Sequence, residues 1–358
     1  LVAGLPAATP FVGPETLERR LGRRLEVRLG ANESNFGPSE SVLAAIRQAA
    51  DEIQYYGDPE GFVLRSAIGS RLGLGPEHVV LGSGVDELLG VLVRAYMAPG
   101  ETVVMGHGAY PTFTYQVVGH GGRIVNRPYR GFRNDPEALV EAARDEGAKL
   151  LYLSNPDNPT GSHLSAESQI ALIERLPPGC LLVLDEAYAE FAPPGSLPEL
   201  GADDPRVIRL RTFSKAHGLA GMRVGYAFGA PDLIRPFDRI RNQFGVGRLA
   251  QAAALAALED EAHVRAVVAA VERGRAEYAV LANDTGVVGL PSSTNFVAFD
   301  LGGAERTKAV LSALLESEGV FVRSPGVTPL DRLLRVTVGR PEDRDAFAAA
   351  FRRVLARL

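Results

Sequence analysis

The chain has one cysteine, no tryptophan and only three lysines, Lys149, Lys215 and Lys308, beside 35 arginines in 358 residues. With Cys180 alone, no internal disulfide can form, which suits a reducing compartment. Cys180 precedes the apolar run Leu181–Leu184 and reads as a small buried residue rather than a nucleophile. No apolar run has membrane length and no leader pattern opens the chain, so a soluble cytoplasmic protein is expected. The formal net charge is −5, with 38 basic and 43 acidic residues well mixed. No basic block points to nucleic acid, and no acidic tail points to a solvating arm. His78, His107, His120, His163, His217 and His263 show no ligand-like clustering, which argues against a catalytic metal. The scarcity of lysine follows the arginine-, alanine- and glycine-rich composition. It still leaves few candidates for chemistry that needs a primary amine.

What is present is a large apolar fraction, 46%, enough for more than one domain. Residues 1–36 lack periodicity and read as an arm contributing to a smaller domain. Helices are predicted around Val42–Ile53 and Phe62–Gly73. Seven short apolar runs follow, from HVVLGSG through ETVVM, RIVNRPY, KLLYLSN, CLLVLDEAY and RVIRLRTF to GMRVGYAFG, with helical segments between most of them. That alternation predicts an α/β domain over 37–247, a mostly parallel sheet covered on both faces. The stretch from Arg248 to Asp284 is almost wholly helical, with a break expected near Glu261. The strands and helices after it read as a smaller α+β domain over 248–358.

The candidate site residues stand at strand ends. Gly82-Ser83-Gly84-Val85-Asp86-Glu87 follows a strand and opens a helix, which is either a phosphate site or an ordinary turn. Phe113 in AYPTFTYQ is either a ring that stacks on a planar ligand or a core aromatic, with Tyr110 and Tyr115 as lesser candidates. Asn158 sits in SNPDNPTG, a stiff loop at a strand's carboxyl end, where open α/β sheets bind ligands. Asp185 ends an apolar run, and a carboxylate there needs a cation or donor; a protonated pyridine, a metal ion or a helix cap would serve. Tyr188 can reach the same ligand. Thr212, Ser214 and Lys215 form TFSK after a strand, and Arg223 follows. Hydroxyls and a guanidinium suit a dianionic phosphate, and the amine can condense with an aldehyde. Arg335 and Arg323 alternate with apolar neighbours and suit either a substrate anion or a structural ion pair.

With NPDNPTG, LDEAY, the SK and AGMRVGY stretch, LAQAAALAAL and LRVTVG, the chain resembles the fold-type I pyridoxal phosphate (PLP) aminotransferases, and within them the histidinol-phosphate aminotransferase family, from about Leu29 onward. The resemblance implies a large PLP-binding domain, a Schiff base on Lys215, and Asp185 paired with the pyridinium nitrogen. It implies Asn158 and Tyr188 on the ring's 3′ oxygen, Phe113 stacked on the ring, and Gly84, Val85, Asp86, Thr212, Ser214 and Arg223 around the phosphate. Tyr56 would reach the phosphate from the partner subunit of a homodimer, and Asn32, Arg323 and Arg335 would hold the substrate. The expected reaction passes an amino group from L-histidinol phosphate to 2-oxoglutarate. The alternative is an aromatic or broad-range aminotransferase. The chain departs from the family's pattern in three places: the arm TPFVGPETLERR, the segment QFGVGR before LAQAAA, and Tyr56-Gly57. All three touch the substrate or the subunit contact rather than the cofactor set. QFGVGR brings in Arg248, which either binds an anion or faces solvent.

Overall fold

The protein is described here by a computed structural model covering Leu5, residues 11–198 and residues 204–358. Thr9 and Pro10, at the start of the expected arm, lie outside the described residues. The arm holds more structure than its sequence suggests. Helix α1 (Pro14–Leu21) starts with proline and ends at Gly22 in the left-handed conformation. Strand β1 (Val27–Arg28) follows. Helix α2 (Glu40–Ala49) is capped by Ser39, whose hydroxyl accepts from the Val42 amide, and α3 (Phe62–Leu72) ends at Gly73.

The alternating region then forms β2 (Val79–Gly82), α4 (Val85–Tyr96), β3 (Thr102–Gly106), α5 (Pro111–Gly119), β4 (Arg123–Arg127), α6 (Pro136–Asp145), β5 (Leu150–Ser154), α7 (Ala166–Glu174), β6 (Leu181–Asp185), β7 (Val207–Thr212), β8 (Gly225–Phe228) and α8 (Pro231–Ile240). The seven strands form one sheet in the order β2-β8-β7-β6-β5-β3-β4. β8 runs antiparallel to β2 and β7, and the other neighbours are parallel. One face packs Leu88, Leu92, Phe113 and Phe237 against Val103 and Ile208. The other packs Leu139 and Leu172 against Val104 and Leu151. Burial on both faces explains why the central strands read as continuous apolar runs.

The long helical stretch breaks at Asp260, which has non-helical backbone angles and caps the second helix through the His263 amide at 3.1 Å. Helix α9 (Arg248–Glu259) precedes it and α10 (Glu261–Thr285) follows. Although the sequence reading grouped α9 with the smaller domain, Ala250, Ala253, Ala254 and Ala257 pack with Val42, Leu64 and Tyr226 beside the large sheet. Helix α10 packs in the other core, with β9 (Val288–Gly289), β10 (Phe296–Asp300), α11 (Ala304–Glu316), β11 (Val320–Phe321), β12 (Leu333–Thr337) and α12 (Pro341–Leu355). Here β10 pairs antiparallel with β12 and β9, and the arm's β1 pairs parallel with β11. The expected strand VFVRSPG is shorter than its sequence suggests; Arg323 makes only an isolated bridge to Arg335.

The carboxyl ends of β6 and β7 are tied together by charge. Glu186 has no exposed surface. It accepts from Arg209 Nε at 3.0 Å and from Arg211 Nε at 2.8 Å. Removing that carboxylate leaves Arg209 without its ion-pair partner and Arg211 with only the more distant charge of Glu190. Glu186→Ala should therefore destabilise the protein by ~3–5 kcal/mol, read as a lower urea midpoint. An unchanged midpoint would show that the arginines find other partners.

Candidate active site

Parallel strands place their carboxyl ends on one edge, and β5, β6 and β7 end there together. The register pairs Ser154 with Asp185 and Asp185 with Leu210. A cavity of about 410 Å³ opens over this edge. Its walls include Asn158, Asp185, Tyr188, Thr212, Ser214, Lys215 and Arg223 from the large sheet, with Arg323 and Arg335 from the smaller unit.

Lys215 Nζ donates to the Asn32 carbonyl at 3.0 Å and lies 5.7 Å from the Tyr188 ring centre. Burial, with the Arg335 charge adding to it, pulls its pKa down to about 8. Asp185 is buried. It accepts from the Tyr152 hydroxyl at 2.6 Å and the Ala187 amide at 3.0 Å. Burial outweighs these bonds and pushes its pKa up to about 6.

At the same carboxyl edge, after β2, α4 begins at Gly84 with no side-chain cap, and Val85 and Asp86 of its first turn line the cavity. Gly84 has φ +82°, and an added Cβ would lie 2.4 Å from Arg223 Nη2. Only glycine lets that guanidinium lie against the helix start. Arg223 Nη2 lies 3.8 Å from Asp86 Oδ2. Thr212 Oγ1 donates to Ser214 Oγ at 2.9 Å and accepts from the Ser214 amide at 3.1 Å. Two hydroxyls, a guanidinium and the amides of Val85 and Asp86 thus converge.

The sequence profile of the family "Aminotransferase class I and II" matches residues 26–351. Similar proteins include the histidinol-phosphate aminotransferase of Symbiobacterium thermophilum, 38% identical over 344 residues, 95% of this chain and 94% of the relative. That of Moorella thermoacetica is 35% identical over 346 residues, 96% and 89% of the two chains. The crystal structure of histidinol-phosphate aminotransferase from Sinorhizobium meliloti in complex with pyridoxal-5'-phosphate matches with TM-score 0.96 and 47% identity, covering 99% of this chain and 96% of that one. The chain belongs to the class I and II aminotransferases, in the histidinol-phosphate aminotransferase family. It is a PLP-dependent transaminase.

The residues present fit that cofactor. Among the described residues Asp185 has no cation within ion-pair distance, only the more distant charge of Lys215, so this buried carboxylate on the cavity wall has the setting a pyridinium nitrogen would complete. At the phosphate end, a bare helix start joins Thr212, Ser214 and Arg223.

Two residues of this aminotransferase have surroundings that their expected roles do not suggest. Phe113 is not a cavity wall. It is fully buried in the core under the sheet edge, its ring 4.9 Å from that of Tyr152. Helix α5 begins at Pro111, so Phe113 turns inward, while Tyr110 just before it lines the cavity. Asn32 lines the cavity, but its polar atoms are committed. Its Nδ2 donates to the Tyr188 hydroxyl at 2.8 Å and its Oδ1 accepts from Thr337 Oγ1 at 3.3 Å. Through these bonds and its backbone carbonyl Asn32 also orients Tyr188 and Lys215.

Tyr152 escaped the sequence reading. The available signal was a lone hydroxyl inside the apolar run LLYLS, one strand away from Asp185. Arg248, left open between anion binding and solvent, pairs with the Glu52 carboxylate at 2.7 Å and donates to the Tyr56 carbonyl at 3.0 Å.

Three outcomes follow. Capture of PLP needs the neutral amine, so its rate should rise with pH and level off above about 8. At pH 7 the neutral fraction is roughly a hundredfold or more above that of an ordinary lysine. Stopped-flow absorbance measures this, and a rate still climbing through pH 10 would contradict the depressed pKa. Tyr110→Ala should weaken PLP binding about tenfold with little change in stability. Phe113→Ala should instead lose ~3–5 kcal/mol of stability.

Proposed function

We propose that this enzyme transfers the amino group of L-histidinol phosphate to 2-oxoglutarate, giving imidazole-acetol phosphate and L-glutamate. The observation that carries this is a pair of half-buried arginines, Arg323 and Arg335, that form no ion pair with a carboxylate among the described residues. Arg335 donates to Asn158 Oδ1 at 2.5 Å and to the Gly30 carbonyl at 3.1 Å, while its buried Nε has no partner. Burial pulls its pKa down to about 10. Arg323 donates to the Val12 carbonyl at 3.0 Å and stacks between Phe11 and Phe321, 4.8 and 5.3 Å from the ring centres. Two desolvated cations on one wall favour an anion, and phosphate or carboxylate satisfies guanidinium geometry. The names of the similar proteins favour the phosphate.

Bound PLP supplies an electron-withdrawing ring for the electron pair left at the donor's Cα. Asp185 would hold the ring nitrogen's proton. Asn158 and Tyr188 would hold the 3′ oxygen, and Thr212, Ser214, Arg223 and the Val85 and Asp86 amides the phosphate. Lys215 Nζ, with its depressed pKa, would take the Cα proton and deliver it to the cofactor's 4′ carbon, a general base and acid matched to near-neutral pH. Arg323 and Arg335 orient the donor so that the Cα–H bond points at that amine.

We infer a homodimer with shared sites. Tyr56 is 77% exposed, stacks beside the exposed Phe244 with ring centres 4.5 Å apart, and does not line this chain's own cavity. An aromatic pair so placed suits a second copy's phosphate site. The one cysteine, buried as a free thiol, is in keeping with a cytoplasmic setting. No helix among the described residues is long and apolar enough to cross a membrane.

A second reading, an aromatic or broad-range aminotransferase, is favoured by a second cavity of about 380 Å³ beyond Arg323. Leu17, Leu311, Leu315, Phe321 and Val327 line it. Single-turnover absorbance with histidinol phosphate, glutamate and phenylalanine separates the two. Fast conversion with histidinol phosphate and slow conversion with phenylalanine supports the phosphate reading; the reverse order supports the second. Lys215→Ala should abolish turnover while keeping the fold. Arg335→Ala should cut kcat/KM for the phosphorylated donor by about tenfold to a hundredfold.

A further inference from the structure

The loop that carries Asn158 is held by a carboxylate that no step above uses. Asp157 is 2% exposed. Its Oδ1 accepts from the Tyr129 hydroxyl at 3.0 Å and from Asn134 Nδ2 at 2.9 Å. Its Oδ2 accepts from the Thr160 amide at 3.1 Å and the Thr160 hydroxyl at 2.7 Å. Its own amide donates to the Ser162 carbonyl at 2.7 Å, and its carbonyl accepts from the Gly161 amide at 3.0 Å. Two donors come from the segment leading into α6 and two from the loop itself. An ionised carboxylate can accept four donors at once; an amide of the same shape turns one oxygen into a second donor and cannot.

The next residue is Asn158. Its amide donates to Ser154 Oγ at 3.4 Å, and its side-chain oxygen accepts from Arg335 Nη1 at 2.5 Å. With that oxygen turned to the guanidinium, the NH₂ edge is the one left for the cavity. The main chain beneath it has little freedom, because the residue before it is pinned on both carboxylate oxygens and both backbone groups.

We propose that Asp157 is a positioning residue for Asn158: it clamps the 155–162 loop to the segment before α6, so that the Asn158 amide presents its N–H to the 3′ oxygen of PLP. This rests on the reading of Asn158 as the donor to that oxygen. A hydrogen bond to the ionised oxygen lowers the proton affinity of the bound chromophore. Loss of the clamp therefore has a spectroscopic signature separate from turnover.

The test is the pH titration of visible absorbance in the PLP-loaded enzyme, with urea midpoints alongside. Asn158→Ala should raise the apparent pKa by about one unit, a tenfold change in proton affinity. Asp157→Asn should raise it by about threefold to tenfold in the same measure. The double variant should shift no further than Asn158→Ala alone, since one acts through the other. Tyr129→Phe removes one donor, keeps the carboxylate and spares the fold; it should shift the pKa the same way by about twofold. An Asp157→Asn enzyme with a lower urea midpoint and an unmoved absorbance pKa overturns the proposal and leaves the reading of Asn158 intact. So does a double variant whose shifts add. No shift in Asn158→Ala itself overturns the reading of Asn158, and the inference with it.

Discussion

The structure turns on burying charge at the carboxyl edge of a parallel sheet. Asp185, Lys215 and Arg335 lose water there, and each pays in its titration: the carboxyl is pushed up to about 6, the amine down to about 8 and the guanidinium down to about 10. Desolvation makes each group seek a partner that the chain itself does not fully provide. On the proposed roles, the ligands would supply what is missing: a ring cation for Asp185, an aldehyde for Lys215 and a substrate anion for Arg335. The surrounding architecture keeps these groups apart long enough for that to happen. Tyr152 satisfies one side of Asp185, Asn32 occupies Lys215 through its carbonyl, and Glu186 braces the strands below.

Much of this arrangement is legible in the residues. The seven apolar runs become the seven strands because a doubly covered sheet needs unbroken hydrophobicity, and the strand-end positions of Asn158, Asp185 and Thr212 follow from strand direction alone. A break near Glu261 was expected because the helical stretch is long for one helix; the structure places it at Asp260, which caps α10. What was not legible depends on rotation and on tertiary pairing. Phe113 and Tyr110 are close in sequence, and only the start of α5 decides which ring faces the cavity. Asn32 reads as a polar group in a loop; that its amide is committed to Tyr188 and Thr337 is a property of three distant segments meeting. Helix α1 and strand β1 are too short for periodicity to declare, and β1 exists only because β11 lies beside it. The division of the two cores within the alanine-rich stretch likewise depends on which neighbours those alanines meet.

The two parts of the chain meet through the site rather than around it. Val27 and Leu29 from the arm share a core with Tyr188 and Ala216 from the large part and with Phe296 and Val336 from the smaller one. The neighbours of Lys215 and of Arg335 are therefore packed into a single apolar mass. Small changes in that mass reach both.

The bond between Arg335 and Asn158 crosses that junction, and with Arg335 on the substrate and Asn158 on the cofactor, as proposed, it would link the two ligands. An anion that draws the guanidinium toward itself competes with the Asn158 oxygen for the same N–H. As that oxygen is released, the amide's polarisation falls and its other edge becomes a weaker donor. Thermodynamic reciprocity then requires the converse: the protonation state of the ring oxygen that edge serves must alter the affinity for the anion by the same factor. Binding at one end of the donor and acidity at the other end of the cavity are two readings of a single equilibrium.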